Sequence, residues 1–345
     1  MTEVDHARFA DRHAEGVVDV RYGSDALEAV SRDGFWAVVA TFEGAVTAVR
    51  FAEVRLGRPP RPARVGWSQL DRHWSSSLDQ AAYVAAVGQV RELIAAGTVY
   101  QVNVCRVVSH SLGTEADLDG LDRILQAGNP APHAARIRCV GAGLDVVSAS
   151  PELFLRRRGD RVVTRPIKGT APTAEQMLPK DHAENVMIVD LMRNDLSGVC
   201  DPGSVSVDEL CVIEEHPGLV HLVSTVSGHL RRGTSWTEVF ASAFPPGSVS
   251  GAPKSSALTA IADLERAARG PYCGAIGWVD ADRSEAELAV GIRTFWAEHD
   301  EAGQRWLRFG TGAGITWNSD PQGEWAETEL KAARLVGLAA GTVTP

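Results

Sequence analysis

The sequence lacks the long apolar segments that membrane spans require. None of its hydrophobic runs approaches the ~20 residues that would cross a bilayer. The first residues, MTEVDHARFADRHAEG, are polar where a secretory signal would be apolar. These absences predict a cytoplasmic protein that does not bind membranes.

Cysteine is scarce, and positive charge is outnumbered. The five cysteines are scattered without CxxC spacing, so we expect free thiols rather than a zinc site. Lys and Arg total 34 against 44 Asp and Glu, which gives a formal net charge of -10. Because a nucleic-acid surface needs clustered positive charge, nucleic-acid binding is not expected. An acidic protein that binds an anion must use local charge or a metal.

What the sequence contains is typical of a globular protein with a large core, with 44% hydrophobic residues. Alternation of apolar and polar residues over 35–54 predicts a hairpin around Glu43-Gly44, and helical spacing from Asp79 predicts a helix that stops at Gly97. Further strands are predicted over 99–108, 152–156, 161–167, 272–279 and 287–296, and further helices over 179–194, 250–268 and after Asp320-Pro321. Strands interrupted by helices without regular βαβ alternation indicate an α+β fold.

Two pairs of acidic residues stand three positions apart, Asp181 with Glu184 and Glu324 with Glu327. This spacing puts each pair on one face of a helix, where it is typical of a solvated surface. The apolar run 186–189 after Glu184 indicates instead a substantially buried helix. Buried carboxylates need a partner and are hard oxygen ligands of the kind that Mg²⁺ prefers. Spacing alone leaves both interpretations open.

Lys168 lies in the segment Arg165-Pro166-Ile167-Lys168-Gly169-Thr170. The proline fixes the backbone, and Gly169 permits the close approach of a ligand. Without further context this is a surface lysine after a strand. If it were desolvated, its pKa would fall, and the neutral amine could act as a nucleophile or a base.

Two glycine-rich segments imitate nucleotide-binding motifs but fail on spacing. In residues 247–255 the lysine Lys254 does not directly follow Gly251, so the segment is not a P-loop. In residues 310–315, Ile315 occupies the place of the third required glycine. We expect the second segment to have exposed backbone N–H groups that could receive a carboxylate.

Several longer motifs occur in a fixed order: SASPELF, TRPIKGTAPT, KDHAENVMIVDLMRND, VHLVSTVSG, FPPGSVSGAPK, YCGAIGW, IRTF, GTGAGI and EWAETELK. In this order, from about Tyr83 to the C-terminus, the chain resembles the chorismate-utilising enzymes, which include anthranilate, isochorismate, salicylate and aminodeoxychorismate synthases. The resemblance implies a β-sandwich wrapped by helices, with the active site between the sheets. It also implies one chorismate-binding domain over 1–345, in which 1–72 complete the sheet and 73–345 form the catalytic core.

The resemblance also implies site residues, position by position. The metal site would comprise Glu184 and Glu327 as direct Mg²⁺ ligands, with Asp181 and Glu324 holding metal-bound water. The substrate-binding residues would be Thr170, Gly169, His221 and Lys331, the backbone cradle Gly312, Ala313 and Gly314, and Tyr272 with Arg293 at the enolpyruvyl carboxylate. Glu152 matches the family's general acid, which protonates the departing hydroxyl.

Two positions distinguish the branches of the family. Isochorismate and salicylate synthases use a lysine to activate water at the position where this chain has Gln101. The resemblance therefore implies that a reaction that adds water to chorismate is disfavoured. Anthranilate synthases typically have alanine where this chain has Lys168. In this respect the chain resembles aminodeoxychorismate synthases, in which the lysine attacks ring carbon 2 as the hydroxyl leaves carbon 4. Ammonia then enters at carbon 4 and expels the lysine.

Partners and alternatives follow from what the motifs omit. No Gly-x-Cys-x-Gly glutaminase elbow is present, so ammonia from glutamine would need a separate glutamine amidotransferase subunit. No Leu-Leu-Glu-Ser segment is found, so inhibition by tryptophan is not expected. One alternative is an anthranilate-type synthase. The other is a non-catalytic docking subunit, but the retained Lys168 and Glu152 argue against this second alternative. The sequence does not distinguish p-aminobenzoate and folate biosynthesis from an antibiotic pathway.

Overall fold

The computed structural model describes residues 5–57, 66–71, 73–171, 173–177, 179–216 and 219–343, with the backbone alone at 170, 179, 216 and 219. Its strands are β1 (His6–Phe9), β2 (Arg12–Tyr22), β3 (Phe35–Ala40), β4 (Val46–Leu56), β5 (Ser75–Ser76), β6 (Gln101–Ser111), β7 (His133–Cys139), β8 (Leu144–Ser150), β9 (Leu153–Arg158), β10 (Arg161–Arg165), β11 (Ile167–Ala171), β12 (Ser206–His216), β13 (Leu219–His229), β14 (Gly251–Ala252), β15 (Ala275–Asp280), β16 (Glu285–Val290), β17 (Thr294–His299) and β18 (Arg305–Ile315). Its α-helices are α1 (Gly23–Ala29), α2 (Gln80–Ala95), α3 (Leu118–Gly128), α4 (Pro179–Ser197), α5 (Trp236–Ala243), α6 (Lys254–Leu264) and α7 (Pro321–Ala339).

The strands form one long antiparallel ladder. Its order is β6-β18-β17-β8-β7-β1-β2-β4-β3-β15-β16-β9-β10-β13-β12, with β5 and β14 added to β6 and β11 added to β13. The N-terminal strands therefore join the ladder, β1 beside β7 and β3 beside β15. Helices α2 and α7 pack on β6 and β18, while α4 packs on β11, β12 and β13. This architecture confirms the α+β class.

The ladder bends so that strands far apart in it face each other. The Lys168 Nζ atom on β11 lies 3.4 Å from the point that a Cβ on Gly314 of β18 would occupy. On the same side, the Asn103 Nδ2 group of β6 donates to the Ser248 carbonyl, 3.1 Å away. A sandwich of this kind places side chains of both layers in one interior space.

The helix predicted over 250–268 is shorter than expected, because Gly251–Ala252 form β14 and α6 runs only from Lys254 to Leu264. The starts of α2 and α7 and the first hairpin agree with the predictions because their signals are local. Strands β3 and β4 pair in register from Phe35↔Phe51 to Ala40↔Val46. The Asp79 side chain accepts from the Ala82 N–H at 2.8 Å at the start of α2, and Asp320 accepts from the Gly323 N–H at 2.7 Å at the start of α7. No helix in the described residues is long and apolar enough to span a membrane.

The prediction of one strand over 287–296 was wrong. The segment divides into β16 and β17, and the residues between them form a bend. Arg293 has a left-handed φ of +52°, and a Cβ on Gly291 would overlap the Pro271 carbonyl oxygen. Because of this bend, the chain pairs with β9 before it, as β16, and with β8 after it, as β17.

Candidate active site

Lys168 lies where the two layers face each other. At Gly314 of β18 a Cβ would meet the Gln101 amide nitrogen, the Asn103 Oδ1 atom at 3.2 Å and the Lys168 amine at 3.4 Å. Gln101 is fully buried, and neither polar atom of its side chain has a hydrogen-bond partner within the described residues. A side chain at position 314 would displace the Gln101 amide, whereas its Cβ would be in ordinary contact with the Lys168 amine.

The charge on Lys168 is opposed by its surroundings. Burial lowers the pKa of its ammonium, while the carboxylates of Glu184, Glu152 and Glu327 favour the charged form and Lys331 disfavours it. The net direction is downward, so the neutral amine is more populated than on an exposed lysine. The acids that act on the lysine thus come from three places: Glu184 from α4, Glu327 from α7 and Glu152 from the β8–β9 connection.

Glu152 is a buried acid on the same interior space. It is 4% exposed, and its carboxylate accepts hydrogen bonds from the Ser248 hydroxyl and the Ile167 N–H. Burial raises the pKa of Glu152 to about 7, although Ser248 and the positive charge of Lys168 oppose this rise. A carboxyl with this pKa holds a proton near neutral pH and can donate it to a leaving group.

The raised pKa of Glu152 predicts a pH-dependent contribution to stability. A carboxyl with a pKa near 4.5 when unfolded and about 7 when folded stabilises the fold fully below pH 4.5. That stabilisation declines as pH rises and is lost above about pH 7. The difference corresponds to about 3 kcal/mol at 1.36 kcal/mol per pH unit. Denaturant unfolding between pH 4.5 and 7.5 measures it.

Glu152→Gln is the matched control for this measurement, because glutamine fills the same space but does not titrate in this range. We expect the free energy of unfolding of the parent to fall by up to about 3 kcal/mol more than that of Glu152→Gln over the interval. Parallel pH profiles for the two proteins would show that Glu152 is not a high-pKa acid.

The two acid pairs lie on α4 and α7, as the spacing predicted. Burial raises the pKa of Glu184, and the charges of Asp181 and Glu327 raise it further. Burial likewise raises the pKa of Glu324, which is 7% exposed, and the charge of Glu327 adds to this effect. The acids of the two helices therefore share one region of negative charge.

Glu327 differs from the other acids because a lysine holds it. Its carboxylate pairs with the Lys331 amine at 2.7 Å. Burial would raise its pKa, but Lys331, Lys180 and Lys168 outweigh that effect, and the net pKa is lowered. Glu327 is therefore the acid of this group that stays ionised most readily.

The donor chemistry at α4 and α7 fits a hard divalent cation. The ligands available are carboxylate oxygens, and the like charges that raise the pKa of Glu184 and Glu324 would be relieved by a cation. Within the residues that the structure describes, no three acidic, histidine or cysteine side chains converge on a common point as they stand. A cation bound here would compete with the Lys331 amine for the Glu327 carboxylate.

The segment 310–315 is a strand rather than an exposed loop. It pairs with β6 from Gly310↔Val107 to Ile315↔Val102, so the N–H groups that point toward β6 are paired, and the prediction of free N–H groups is wrong for that edge. On the opposite edge of β18, the pairing with β17 ends at Phe309. On that stretch the Lys331 amine donates to the Gly312 carbonyl at 3.0 Å, while Ala313 is 1% exposed.

Tyr272 packs face-on against β18. It is 6% exposed, and a Cβ on Gly310 would overlap its ring. The Cys105 thiol lies 3.9 Å from the Tyr272 hydroxyl and 2.5 Å from the Cβ position of Gly312. Tyr272 and the glycine segment of β18 therefore lie side by side.

Arg293 occupies the bend between β16 and β17. Its backbone carbonyl accepts from the Ala149 N–H at 3.0 Å, three residues before Glu152. Burial lowers the pKa of its guanidinium, and no described residue forms a hydrogen bond or ion pair with that side chain. A partly buried cation of this kind is suited to an anionic ligand. No described contact links its side chain to the Lys168 group.

The remaining predicted residues lie beside β11. His221 of β13 is 2% exposed and stands opposite Thr170 in the strand register, while the side chain of Thr170 lies outside the described residues. Gly169 has a φ of +92°, and a Cβ there would lie 2.8 Å from both Asp181 Cβ and Met177 Sδ. The close approach that this glycine permits is therefore that of α4.

Sequence reasoning missed two residues of the site and undervalued a third. Asn103 of β6 lies with Lys168 beside Gly314, and Ser248 donates a hydrogen bond to Glu152, but neither residue was assigned a role. Gln101 served only to separate branches, although its buried amide lies against the lysine. The signal for Gln101 and Asn103 was two polar residues alternating with valines at the start of β6, which places both side chains on the same face.

An antiparallel α+β sandwich, in which lysines and acids meet between the layers, defines the class of fold. Residues 38–337 match the chorismate binding enzyme family, and the chain belongs to this family. It is 36% identical over 317 residues to anthranilate synthase component 1 of Streptomyces coelicolor, covering 86% of this chain and 60% of that protein. It is also 36% identical over 281 residues to aminodeoxychorismate synthase component 1 of Klebsiella aerogenes, covering 77% of this chain and 60% of that protein.

A solved structure with the same fold is a 2,3-dihydroxybenzoate-specific isochorismate synthase of Bacillus anthracis. Its TM-score is 0.80 at 24% identity, covering 99% of this chain and 97% of that one. The chain spans about 60% of the length of the two curated relatives. Because those two relatives carry different names at equal identity, the family is shown while the reaction is a matter for proposal.

Proposed function

We propose that the protein is the chorismate-binding component of an aminodeoxychorismate synthase. The observation that carries the proposal is Lys168, a desolvated amine beside Gly314 with the high-pKa acid Glu152 close enough to affect its charge. A nucleophile and a proton donor in one interior space are what a substitution through a covalent intermediate needs.

The proposed reaction proceeds in two displacements. The neutral Lys168 amine attacks carbon 2 of the chorismate ring, both conjugated ring double bonds shift by one position, and the hydroxyl leaves carbon 4 as water with the proton of Glu152. Ammonia then adds at carbon 4, both double bonds shift back, and the carbon–nitrogen bond to Lys168 breaks. The proton lost by ammonia returns to Glu152, and the product is 4-amino-4-deoxychorismate. Each step thus balances without an oxidant or a reductant.

The other site residues would bind and orient the substrate. A bound Mg²⁺ would neutralise the ring carboxylate. Glu184 and Glu327 would hold the ion directly, and Asp181 and Glu324 would hold its water. Tyr272 and Arg293 would bind the enolpyruvyl carboxylate, to which the free guanidinium of Arg293 is suited. The cradle of β18, with Thr170, His221 and Lys331, would complete the substrate site.

Ammonia would come from a separate glutamine amidotransferase subunit. We expect the purified chain with chorismate and Mg²⁺ to form product from ammonium salts at raised pH, and none from glutamine. The reason is that the printed sequence carries no glutaminase cysteine elbow. Mass spectrometry of the product, with ammonium and glutamine reactions side by side, measures both expectations.

The same experiment separates the alternatives. Anthranilate, which is fluorescent and has lost the enolpyruvyl group, would indicate amination at carbon 2 and overturn the proposed reaction. Complete absence of product with ammonium would favour a non-catalytic docking subunit. Hydrolysis of glutamine by the chain alone would contradict the two-subunit proposal.

A further inference from the structure

Helix α4 buries an asparagine and exposes the valine next to it. Asn185 has no exposed surface, whereas Val186 is 45% exposed. This reverses the usual preference, in which valine is buried and asparagine faces solvent. A buried amide is tolerated only where its donor and acceptor are both hydrogen-bonded. The position of Asn185 therefore depends on specific contacts rather than on apolar packing.

Those contacts tie Asn185 to strand β13. Its Nδ2 group donates to the Leu222 carbonyl at 3.1 Å, and the Ser224 hydroxyl donates to its Oδ1 atom. Ser224 is itself fully buried, and its hydroxyl oxygen accepts from the Cys211 N–H at 2.9 Å. The Cys211 thiol of β12 also lies 3.7 Å from the Asn185 Oδ1 atom. The amide is thus held by groups of β13 and β12, in an orientation that few other side chains could reproduce.

Ser224 also connects this anchor to the lysine. Its backbone N–H donates to the Pro166 carbonyl at 3.2 Å, and Val223 pairs with Ile167, the residue before Lys168. Asn185 directly follows Glu184 on α4. The same few hydrogen bonds therefore set where Glu184 lies relative to Lys168.

The buried apolar residues of α4 begin at Ile188, and among residues 180–187 Asn185 is the only buried side chain. One residue corresponds to about 100° of rotation, so a local change of register in these first turns would carry Glu184 away from Lys168 and bury Val186 instead. Burying Val186 would be favourable by hydrophobic transfer. A buried polar contact can specify one arrangement against such an alternative, because the wrong arrangement leaves its groups unpaired.

We propose that Asn185 is a positioning residue, which fixes the rotation of α4 and thereby directs Glu184 toward Glu327 and the metal site. The inference rests on the proposed function, in which Glu184 is a ligand. Asn185 itself is hydrogen-bonded to Leu222 and Ser224 and so would not touch substrate or metal. Contacts that orient a ligand in this way typically change metal affinity by about 10- to 100-fold when they are removed.

The test measures Mn²⁺ binding by electron paramagnetic resonance, without substrate, because Mn²⁺ accepts the same oxygen ligands as Mg²⁺. Asn185→Leu removes the anchor, and Ser224→Ala removes one of its bonds. Leu196→Ala is the matched control, because it destabilises the buried face of α4, where Leu196 is 1% exposed, three turns from the anchor. Glu184→Gln tests the ligand itself.

We expect the dissociation constant for Mn²⁺ to rise about 10-fold or more in Asn185→Leu, by a smaller factor in Ser224→Ala, and by less than twofold in Leu196→Ala. Ser224→Ala keeps the bond to Leu222 and decides the matter if Asn185→Leu does not fold. If Glu184→Gln weakens Mn²⁺ binding while Asn185→Leu and Ser224→Ala both bind as Leu196→Ala does, the Asn185 inference is overturned and the metal assignment stands. If Glu184→Gln binds as the parent does, the metal assignment and this inference fall together.

Discussion

Replacing Lys168 by alanine is expected to lower amination at carbon 4 by at least about 10³-fold, because the nucleophile of the covalent route is lost. In the parent protein, incubation with chorismate and Mg²⁺ but no ammonia should trap an adduct of chorismate less one water on the peptide that contains Lys168. The lowered pKa of Lys168 makes this attack feasible near neutral pH. Peptide mass spectrometry and product formation measure the two effects.

Lys180→Ala is the control for adduct formation. Lys180 is an exposed lysine whose charge reaches Glu184 and Glu327, so it tests whether a nearby lysine of the same acidic region captures the substrate. The adduct should persist on the Lys168 peptide in Lys180→Ala and be absent in Lys168→Ala. Amination at the parent rate by Lys168→Ala, without any adduct in the parent, would remove the main support for the aminodeoxychorismate branch.

What could be predicted from the sequence was set by signals within a few residues. Asp79 and Asp320 cap the helices that follow them, and Glu43-Gly44 turns a hairpin between apolar strands. Each acid pair lies on one face of its helix because residues three positions apart are neighbours on a helix surface. These features do not depend on which distant strands meet.

The rest depended on pairings that no local pattern specifies. Gly310–Ile315 has the composition of a loop, yet it is a strand because β6, some 200 residues earlier, offers a complementary edge. The break at Arg293 follows from a left-handed residue that the apolar pattern of 287–296 conceals. The ion pair of Lys331 with Glu327 depends on the fold in the same way, because the i,i+4 spacing alone does not show that Glu327 lies near the other acids.

The choice of reaction likewise depends on more than the ordered motifs. Ordered motifs identified the family, and the structure brings Lys168, Glu152 and Gly314 into one space. The choice between amination at carbon 4 and at carbon 2 rests on the amine of one residue. Identity to relatives does not decide it, because the anthranilate and aminodeoxychorismate relatives are both 36% identical.

Gly310→Ala is expected to be the most destabilising single-methyl change in the site. A Cβ at this position would overlap the Tyr272 ring, and the strand cannot retreat because Gly310 pairs with Val107. Overpacking of a buried site typically costs 1–3 kcal/mol, and a clash with an aromatic ring puts this case at about 3 kcal/mol or more. Because the ring must move, the Michaelis constant for chorismate should also rise. Denaturant unfolding and steady-state kinetics measure the two effects.

Gly113→Ala is the matched control, since a Cβ there meets nothing within 4 Å and the expected change is within about 0.5 kcal/mol. Tyr272→Ala should cost less stability when it is added to Gly310→Ala than when it is made alone, because the ring that the new methyl overlaps is gone. The two substitutions would then be non-additive, as expected for residues in contact. The double variant should still bind chorismate poorly, because Tyr272 is a proposed contact of the enolpyruvyl carboxylate. Equal stability of Gly310→Ala and Gly113→Ala would mean that Tyr272 does not pack on β18, and the position assigned to its hydroxyl in the substrate site would be lost with it.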